Sequence, residues 1–395
     1  MKTKYAVLTA ELRGLCVQLR RGGQSKLPGE AELCMRYGYS RQTVRKALGL
    51  LEEDGLIVRI RGSGTYLAAD GQGRTGRVAV ITSSTEEYLY PQLLRDIETE
   101  LTPAGYELEK YSSGNRILRE RELLLRLLKN PPAGILLEGA KTALPSPNLD
   151  LLKQLDQKNV PIVWLHAPLP VPADAPYVLD DNEGGARVLV RYLLEKGHQR
   201  IAGIFKSDDR QGTERYGGYM AELLAAGLSV PEESVLWYAT EDRDRLMDGE
   251  YTWLDRFVHT RLSGCTAVIC YNDELAYALI RTLLAAGSRI PEDYAVVSFD
   301  NSHYCTLSPV PITSLAHERH QMGSTAARIL LRLMRGNSEN GVRLAWSLRE
   351  RRGKRQPERR RSRNRRFLTT DRTAAALPMT APADRERKAV RENAD

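Results

Sequence analysis

Apolar residues recur along this chain with two different periods. Over residues 5–20, Ala6, Leu8, Leu12, Leu15 and Leu19 can share one face of a helix. A second helix is expected after Pro28, with Glu30 and Glu32 in its first turn, where the helix dipole favours negative charge. It should close at Gly38. Ser40 suits the N-cap of a third helix. There Val44, Ala47, Leu48 and Leu51 stand at i, i+3, i+4 and i+7 and form one stripe to be buried. Short strands at 56–60 and 65–68 then flank Arg61-Gly62-Ser63-Gly64. Glycine at those positions permits a tight turn and close backbone approach to a phosphate.

Beyond a Gly- and Gln-containing linker at 70–76 the pattern changes. Short apolar runs at 78–82, 106–111, 134–138, 161–165, 177–179, 200–205, 267–271 and 294–299 read as strands. Amphipathic stretches at 89–104, 117–129, 183–196, 212–226, 274–286 and 319–334 read as helices between them. Regular alternation of this kind predicts an α/β architecture of doubly wound parallel sheets with helices on both faces. The run is too long for one sheet and breaks near residues 180 and 302. Two similar lobes joined by crossovers are therefore expected over 77–340, behind a helical head at 1–69.

Composition narrows the class. The hydrophobic share of 42% fits a globular protein. No run of about 18 apolar residues occurs, so no membrane span is expected. The N-terminus leads into an amphipathic segment and not an apolar signal core, so a cytoplasmic location is expected. The five cysteines are odd in number and form no C-x-x-C pair, which suggests a reduced compartment and no zinc site. The net charge of +8 is unevenly spread, with +5 over 1–70, −7 over 71–340 and +10 over 341–395. A basic head and an acidic body do not suit one partner. The head points to nucleic acid.

The candidate chemistry agrees. On the predicted third helix the face opposite the apolar stripe carries Gln42, Arg45, Lys46 and Gly49, with Arg41 on its flank. Such side chains hydrogen-bond guanine edges, adenine edges and phosphates. A solvated helix face would use the same residues. The ordered series of helix, helix, capped helix and Gly-rich hairpin is more specific than any part of it.

In open α/β sheets, ligands bind outside the carboxyl ends of the strands. Those positions hold Glu138 with Lys141 nearby, His166, Lys206 with Asp208, Asn272 with Asp273, and Asp300 with Asn301. Tyr90, Phe205, Tyr271 and Phe299 stand beside them. Aromatic walls with paired donors and acceptors suit a polyhydroxylated ligand such as a sugar. Each polar residue alone is equally a helix cap, Asp180 and Asn272 in particular.

Two resemblances follow from these segments. Pro28-Gly29-Glu30-Ala31-Glu32-Leu33, Ser40-Arg41-Gln42-Thr43-Val44-Arg45-Lys46-Ala47-Leu48 and Gly62-Ser63-Gly64-Thr65-Tyr66 resemble the winged helix-turn-helix of GntR-type bacterial repressors. Gly29 departs from that motif, which has Ser or Thr there. The resemblance implies operator contacts from Arg41, Thr43 and Arg45, a base contact from Glu30, a phosphate contact from Lys4, and entry of the wing, Arg61 to Thr65, into the minor groove. Asp180-Asp181-Asn182-Glu183-Gly184-Gly185, Arg215-Tyr216-Gly217-Gly218-Tyr219, Tyr271-Asn272-Asp273-Glu274 and Val297-Ser298-Phe299-Asp300-Asn301 resemble the periplasmic-binding-protein-like sugar sensor of LacI/GalR-type regulators. This second resemblance implies ligand contacts from Arg215, Asn272 and Asp300. The pairing of the two parts is similar to the arabinose-responsive subgroup, which implies a repressor that binds operator DNA as a homodimer and is released by L-arabinose. Another pentose or a hexose stays open as the effector.

Catalytic patterns are missing from the sequence. It has no G-x-S-x-G elbow, no P-loop and no H-E-x-x-H. His317 and His320 are spaced i, i+3 but lack a third metal ligand, so neither metal nor cofactor is expected. A sugar-processing enzyme would leave the winged helix without a task. A transport binding protein would call for a signal sequence.

The last stretch, 341–395, does not fit. Arg349 to Arg366 is dense in arginine with no apolar period, so it is expected to lack order. The strand with which the family closes is expected to be missing. An extra nucleic-acid-binding arm, a solvated tail and an out-of-frame reading of GC-rich DNA all fit, and the last fits best.

Overall fold

A computed structural model of the chain describes residues 4–21, 24–53, 56–60, 63–67, 76–229 and 232–351. The head begins with α1 (Lys4–Arg21), α2 (Glu30–Tyr37) and α3 (Arg41–Glu53), then β1 (Ile57–Ile60) and β2 (Gly64–Leu67). The predicted stripe is its core: Val44, Ala47, Leu48 and Leu51 are all fully buried against Leu8, Leu12 and Leu33. Ser40 caps α3, accepting from the Thr43 amide at 3.3 Å. Gly38 ends α2 with φ of +70°, a conformation that only glycine adopts without penalty. Gly29 supplies the backbone of the α2 N-cap but no side-chain acceptor. β1 and β2 pair antiparallel from Ile57 opposite Leu67 to Ile60 opposite Gly64. Arg61, Gly62 and the linker expected at 70–75 lie outside the described residues, as does the side chain of Lys4.

The first lobe follows as β3 (Arg77–Thr82), α4 (Tyr90–Leu101), β4 (Glu107–Ser112), α5 (Ile117–Lys129), β5 (Gly134–Leu137), α6 (Leu149–Gln157), β6 (Ile162–Leu165) and β7 (Tyr177–Asp180). The chain then crosses to the second lobe. There it forms α7 (Asn182–Glu195), β8 (Ile201–Lys206), α8 (Arg210–Ala225), β9 (Val235–Tyr238), α9 (Thr240–Met247), α10 (Thr252–Arg261), β10 (Ala267–Cys270), α11 (Asp273–Ala285), β11 (Ala295–Phe299), α12 (Tyr304–Leu307) and β12 (Thr313–Ala316). It returns as α13 (Gln321–Met334) and β13 (Val342–Leu344), and crosses once more into β14 (Ser347–Arg349).

The two sheets share one plan. The first runs β13-β7-β6-β5-β3-β4 and the second β14-β12-β11-β10-β8-β9. All neighbours are parallel except β12 and β14. Central strands such as β5, β6 and β10 are buried at every residue, as parallel strands covered on both faces must be. In each sheet the strand order reverses once, between β3 and β5 in the first lobe and between β8 and β10 in the second. Such reversals open a crevice at the carboxyl ends.

Two expectations need correction. The second sheet does not break near residue 302, because β12 extends it to Ala316 before the chain returns. The closing strands are not missing either. β13 pairs with β7, and β14 pairs antiparallel with β12, Leu348 opposite Leu315. Residues 341–351 thus belong to the two-lobed body, and the expected tail cannot begin before residue 352. Its remaining part, 352–395, lies outside the described residues. Three-residue strands are too short to display a period, and arginine on a sheet edge keeps its charged end in water.

Glycine sets two close approaches. A Cβ at Gly212 would stand 1.9 Å from the Lys206 carbonyl, so glycine lets α8 begin against the end of β8. One at Gly218 would meet the Glu183 carbonyl at 2.2 Å, so glycine also brings α7 and α8 together.

Candidate functional site

The carboxyl ends of both sheets face one cleft of about 780 Å³. At the first reversal stand Ser83, after β3, and Glu138, after β5. Ser83 donates its amide to Glu138 Oε2 at 2.8 Å, and the Tyr90 hydroxyl donates to Oε1 at 3.0 Å. Burial pushes the Glu138 carboxyl up, and the nearby charge of His166 partly offsets this. At the second reversal stand Lys206, at the end of β8, and Tyr271 with Asn272, after β10. Lys206 Nζ donates to Asp209 Oδ2 at 2.6 Å.

Arg215, on α8, is buried beneath the cleft. Its Nε donates to Asn182 Oδ1 at 3.0 Å, and one Nη donates to the Tyr271 carbonyl. Another Nη lies 3.6 Å from Asp300 Oδ1. Its guanidinium packs 4.1 Å from the Phe299 ring centre, a cation–π contact. Burial alone would lower its pKa, but Asp300 and other cleft groups raise it, so it stays charged.

Eight of the ten ligand residues expected from sequence line this cleft: Tyr90, Glu138, His166, Lys206, Arg215, Tyr271, Asn272 and Asp300. Asn272 is also the cap of α11, accepting from the Leu275 amide at 3.0 Å. Lys141 and Asp208 are corrected. Lys141 Nζ instead reaches Glu241 Oε1 at 2.9 Å and Asp208 Oδ2 at 3.4 Å. The two lobes use these groups on each other. Phe205 and Phe299 likewise turn away into the core of the second lobe, because alternate residues of a strand face opposite sides.

Sequence reasoning missed several cleft residues. Asp180, a suspected cap, is not one; Asp181 caps α7. Asp180 is buried and accepts from Gln211 Nε2 at 2.9 Å. It also meets His166 Nδ1 at 2.9 Å and His317 Nε2 at 2.7 Å. Burial would lower the His166 pKa, but Asp180 reverses this and raises it to about 9. Asp180 itself is held below its ordinary value despite its burial, by His166 and His317. The His317 ring stacks on Trp346 at 3.6 Å. Asp180, His317 and Trp346 come from the three crossovers, one from each. No local motif could announce that meeting. His320 points elsewhere, to Asp96 at 2.6 Å, so the i, i+3 histidines have separate partners. Among the described residues no cluster of potential metal ligands forms.

The lobes meet across the cleft through further polar contacts. Tyr88 donates to Asp300 Oδ2 at 2.7 Å, and Arg243 donates to Glu87 at 2.9 Å. Asn115 donates to Asp209 at 3.0 Å and Thr240 at 2.6 Å, while Arg116 pairs with Glu241 and Asp244. Tyr88, His166, Asp300 and Asn301 all hold positive φ without being glycine. Backbone strain of this kind gathers at ligand clamps, where the surrounding fold enforces it.

The residues expected to face DNA group on the head. Arg41, Gln42, Arg45 and Lys46 are exposed on α3, and Ser63 and Gly64 are exposed at the hairpin. Thr43 is half-buried beside Ser40, and Thr65 is half-buried in β2. Glu30 Oε2 accepts from Arg45 Nε at 2.8 Å, and Lys46 Nζ lies 4.1 Å from the Tyr5 ring centre.

Comparison with known proteins agrees with both parts. Residues 4–67 match the bacterial regulatory proteins of the gntR family, and residues 190–353 match a periplasmic binding protein-like domain. The second match runs past β14, in line with its place in the body. The chain is 32% identical to the arabinose metabolism transcriptional repressor of Geobacillus stearothermophilus over 86% of its own length and 93% of the relative's. It is 30% identical to the repressor of the same description from Halalkalibacterium halodurans, over 84% and 89%. The solved complex of the transcriptional regulator CelR with cellobiose superposes with a TM-score of 0.61 at 27% identity, covering 85% of this chain and 94% of that one. Among the described residues no helix is long and apolar enough to cross a membrane. A gntR-type head on a two-lobed sensor, similar over nearly its whole described length to such repressors, places this chain in the family of the arabinose metabolism transcriptional repressors, as a sugar-responsive transcriptional repressor and not an enzyme.

Proposed function

We propose that the chain binds a two-fold operator as a homodimer, and that a small sugar, L-arabinose first among the candidates, binds between the lobes and releases it. The observation that carries this reading is the convergence of Ser83, Tyr90 and Glu138 from one lobe with Lys206, Arg215, Tyr271 and Asp300 from the other on a single cleft. Neighbouring hydroxyls of a sugar need paired donors and acceptors, and its C–H faces need rings. Arabinose is favoured because two relatives matched over 84% or more of this chain, at 32% and 30% identity, are described as arabinose metabolism transcriptional repressors, whereas the regulator CelR of Thermobifida fusca, also 32% identical, matches over 69% of it. A second reading is a larger sugar. The cleft extends to Gln92, Arg319 and the start of α13, and its volume of about 780 Å³ exceeds what one pentose fills.

Release requires the sugar to prefer the non-binding arrangement of the two heads, since equal affinity for both states shifts nothing. Calorimetric titration with L-arabinose, D-xylose, D-ribose, D-galactose and cellobiose tests the ligand. Fluorescence anisotropy of operator DNA with the same sugars tests the switch, and sedimentation tests the dimer. An operator affinity that no sugar in the panel alters would sink the proposal.

A further inference from the structure

Glu30 is the one acid among the head residues that the gntR-type resemblance turns towards DNA. A carboxylate near phosphates is repelled, so its presence calls for a specific task. Two tasks are chemically open. It can accept from a cytosine or adenine amino group itself. Or it can hold another side chain that reads a base.

The geometry points to the second: we infer that Glu30 is a positioning residue, which fixes the guanidinium of Arg45 for guanine recognition and does not read a base. Glu30 opens α2, and Arg45 stands in the second turn of α3, fifteen residues on. Glu30 Oε2 takes Arg45 Nε at 2.8 Å. Nε lies on the side edge of the guanidinium. A bond there leaves the end-on pair of Nη groups for the O6 and N7 of a guanine, the commonest specific contact in the major groove. The backbone beneath is also held, since Arg59 Nη2 donates to the Arg45 carbonyl at 3.0 Å. Arg45 is 65% exposed within this pair, so its Nη groups stay open to a partner while Nε is held. A long, exposed arginine otherwise loses rotamer freedom on binding, and a preset one loses less.

This inference rests on the DNA-binding reading of the head and adds to it a division of labour. The test uses the full-length protein and a library of random duplexes. Bound sequences are read for the wild type, E30A, E30Q, R45A and the double variant E30A/R45A, with thermal midpoints measured alongside. E30A is expected to relax preference at the same base pair as R45A, by about tenfold or less. E30A/R45A should relax it no further than R45A alone. E30Q keeps an acceptor for Nε and should retain the wild-type preference. Three results would overturn the inference: E30A relaxing a different base pair from R45A, the two losses adding in the double variant, or E30Q switching the preferred base to adenine. A wild-type protein that enriches no sequence would overturn the DNA-binding reading, and this one with it.

Discussion

The hydroxyl of Tyr88, in the loop ahead of α4, donates across the cleft to Asp300 Oδ2 at 2.7 Å, where β11 of the other lobe ends. The same carboxylate has its Oδ1 3.6 Å from Arg215. Burial first, and Asp300 second, raise the Tyr88 pKa well above its ordinary value, so the phenol remains a donor. Tyr88→Phe removes one hydrogen bond to a charged acceptor, worth roughly 1.5–3 kcal/mol. The closed arrangement of the lobes should lose that support. The expected outcome is a larger radius of gyration by X-ray scattering without sugar, and sugar affinity about tenfold weaker. An unchanged radius and affinity would show that the Tyr88–Asp300 bond does not hold the lobes together.

His166 sets a pH dependence. Its pKa in the folded protein is raised to about 9 by Asp180, against the opposing effect of burial. The unfolded value is about 6.5. The folded state therefore binds the proton more tightly, and the stabilisation is fully present below about pH 6.5 and is lost as the pH rises through 9. Its size is on the order of 3 kcal/mol. The thermal midpoint should fall between pH 6.5 and 9.5, and His166→Gln should flatten that fall. An equal slope in both proteins would count against the His166–Asp180 pair.

Gly29 lies at the N-cap of α2 with φ of −65° and ψ of 158°, which any L-residue can adopt. Nothing stands within 4 Å of the Cβ it lacks. Gly29→Ser should supply an acceptor for the first turn and restrict the unfolded chain, stabilising the head by about 0.5–1 kcal/mol. Chemical denaturation followed on the head would show it. A loss of stability would mean that the backbone at Gly29 moves.

Truncation separates the body from the tail. A chain ending at residue 340 lacks β13, β14 and Trp346, so it exposes the edges of β7 and β12 and leaves His317 without its stacking partner. It should aggregate or unfold at a markedly lower temperature. A chain ending at residue 353 keeps all three and should melt as the full-length protein does. Equal melting of the two would contradict the role given to the edge strands.

Much of the fold was legible locally. The stripe Val44, Ala47, Leu48 and Leu51 and the apolar runs at 134–138 and 267–271 carry their period within a few residues, so each element could be drawn from its own segment. β9 and β12 to β14 could not. They are strands of three or four residues, and what makes them strands is pairing with neighbours far along the chain. The same limit explains the site. Six of the expected residues, Glu138, His166, Lys206, Tyr271, Asn272 and Asp300, line the cleft because the carboxyl ends of the strands face it, while Tyr90 and Arg215 reach it from α4 and α8. Lys141 and Asp208 lie beside the cleft, not in it, because their side chains are taken up by an ion pair between the lobes, at 3.4 Å.

The sequence by itself determined the modules, their order and the chemistry of each surface. Periodicity, caps and charge are properties of neighbouring residues, and they act before the chain is compact. Only the tertiary structure decided which of those residues meet. Asp180, His317 and Trp346 lie on three separate crossovers, and Glu30 and Arg45 on two helices. Their contacts exist because packed lobes and a packed three-helix core bring distant segments within hydrogen-bond reach, and no local pattern encodes that distance.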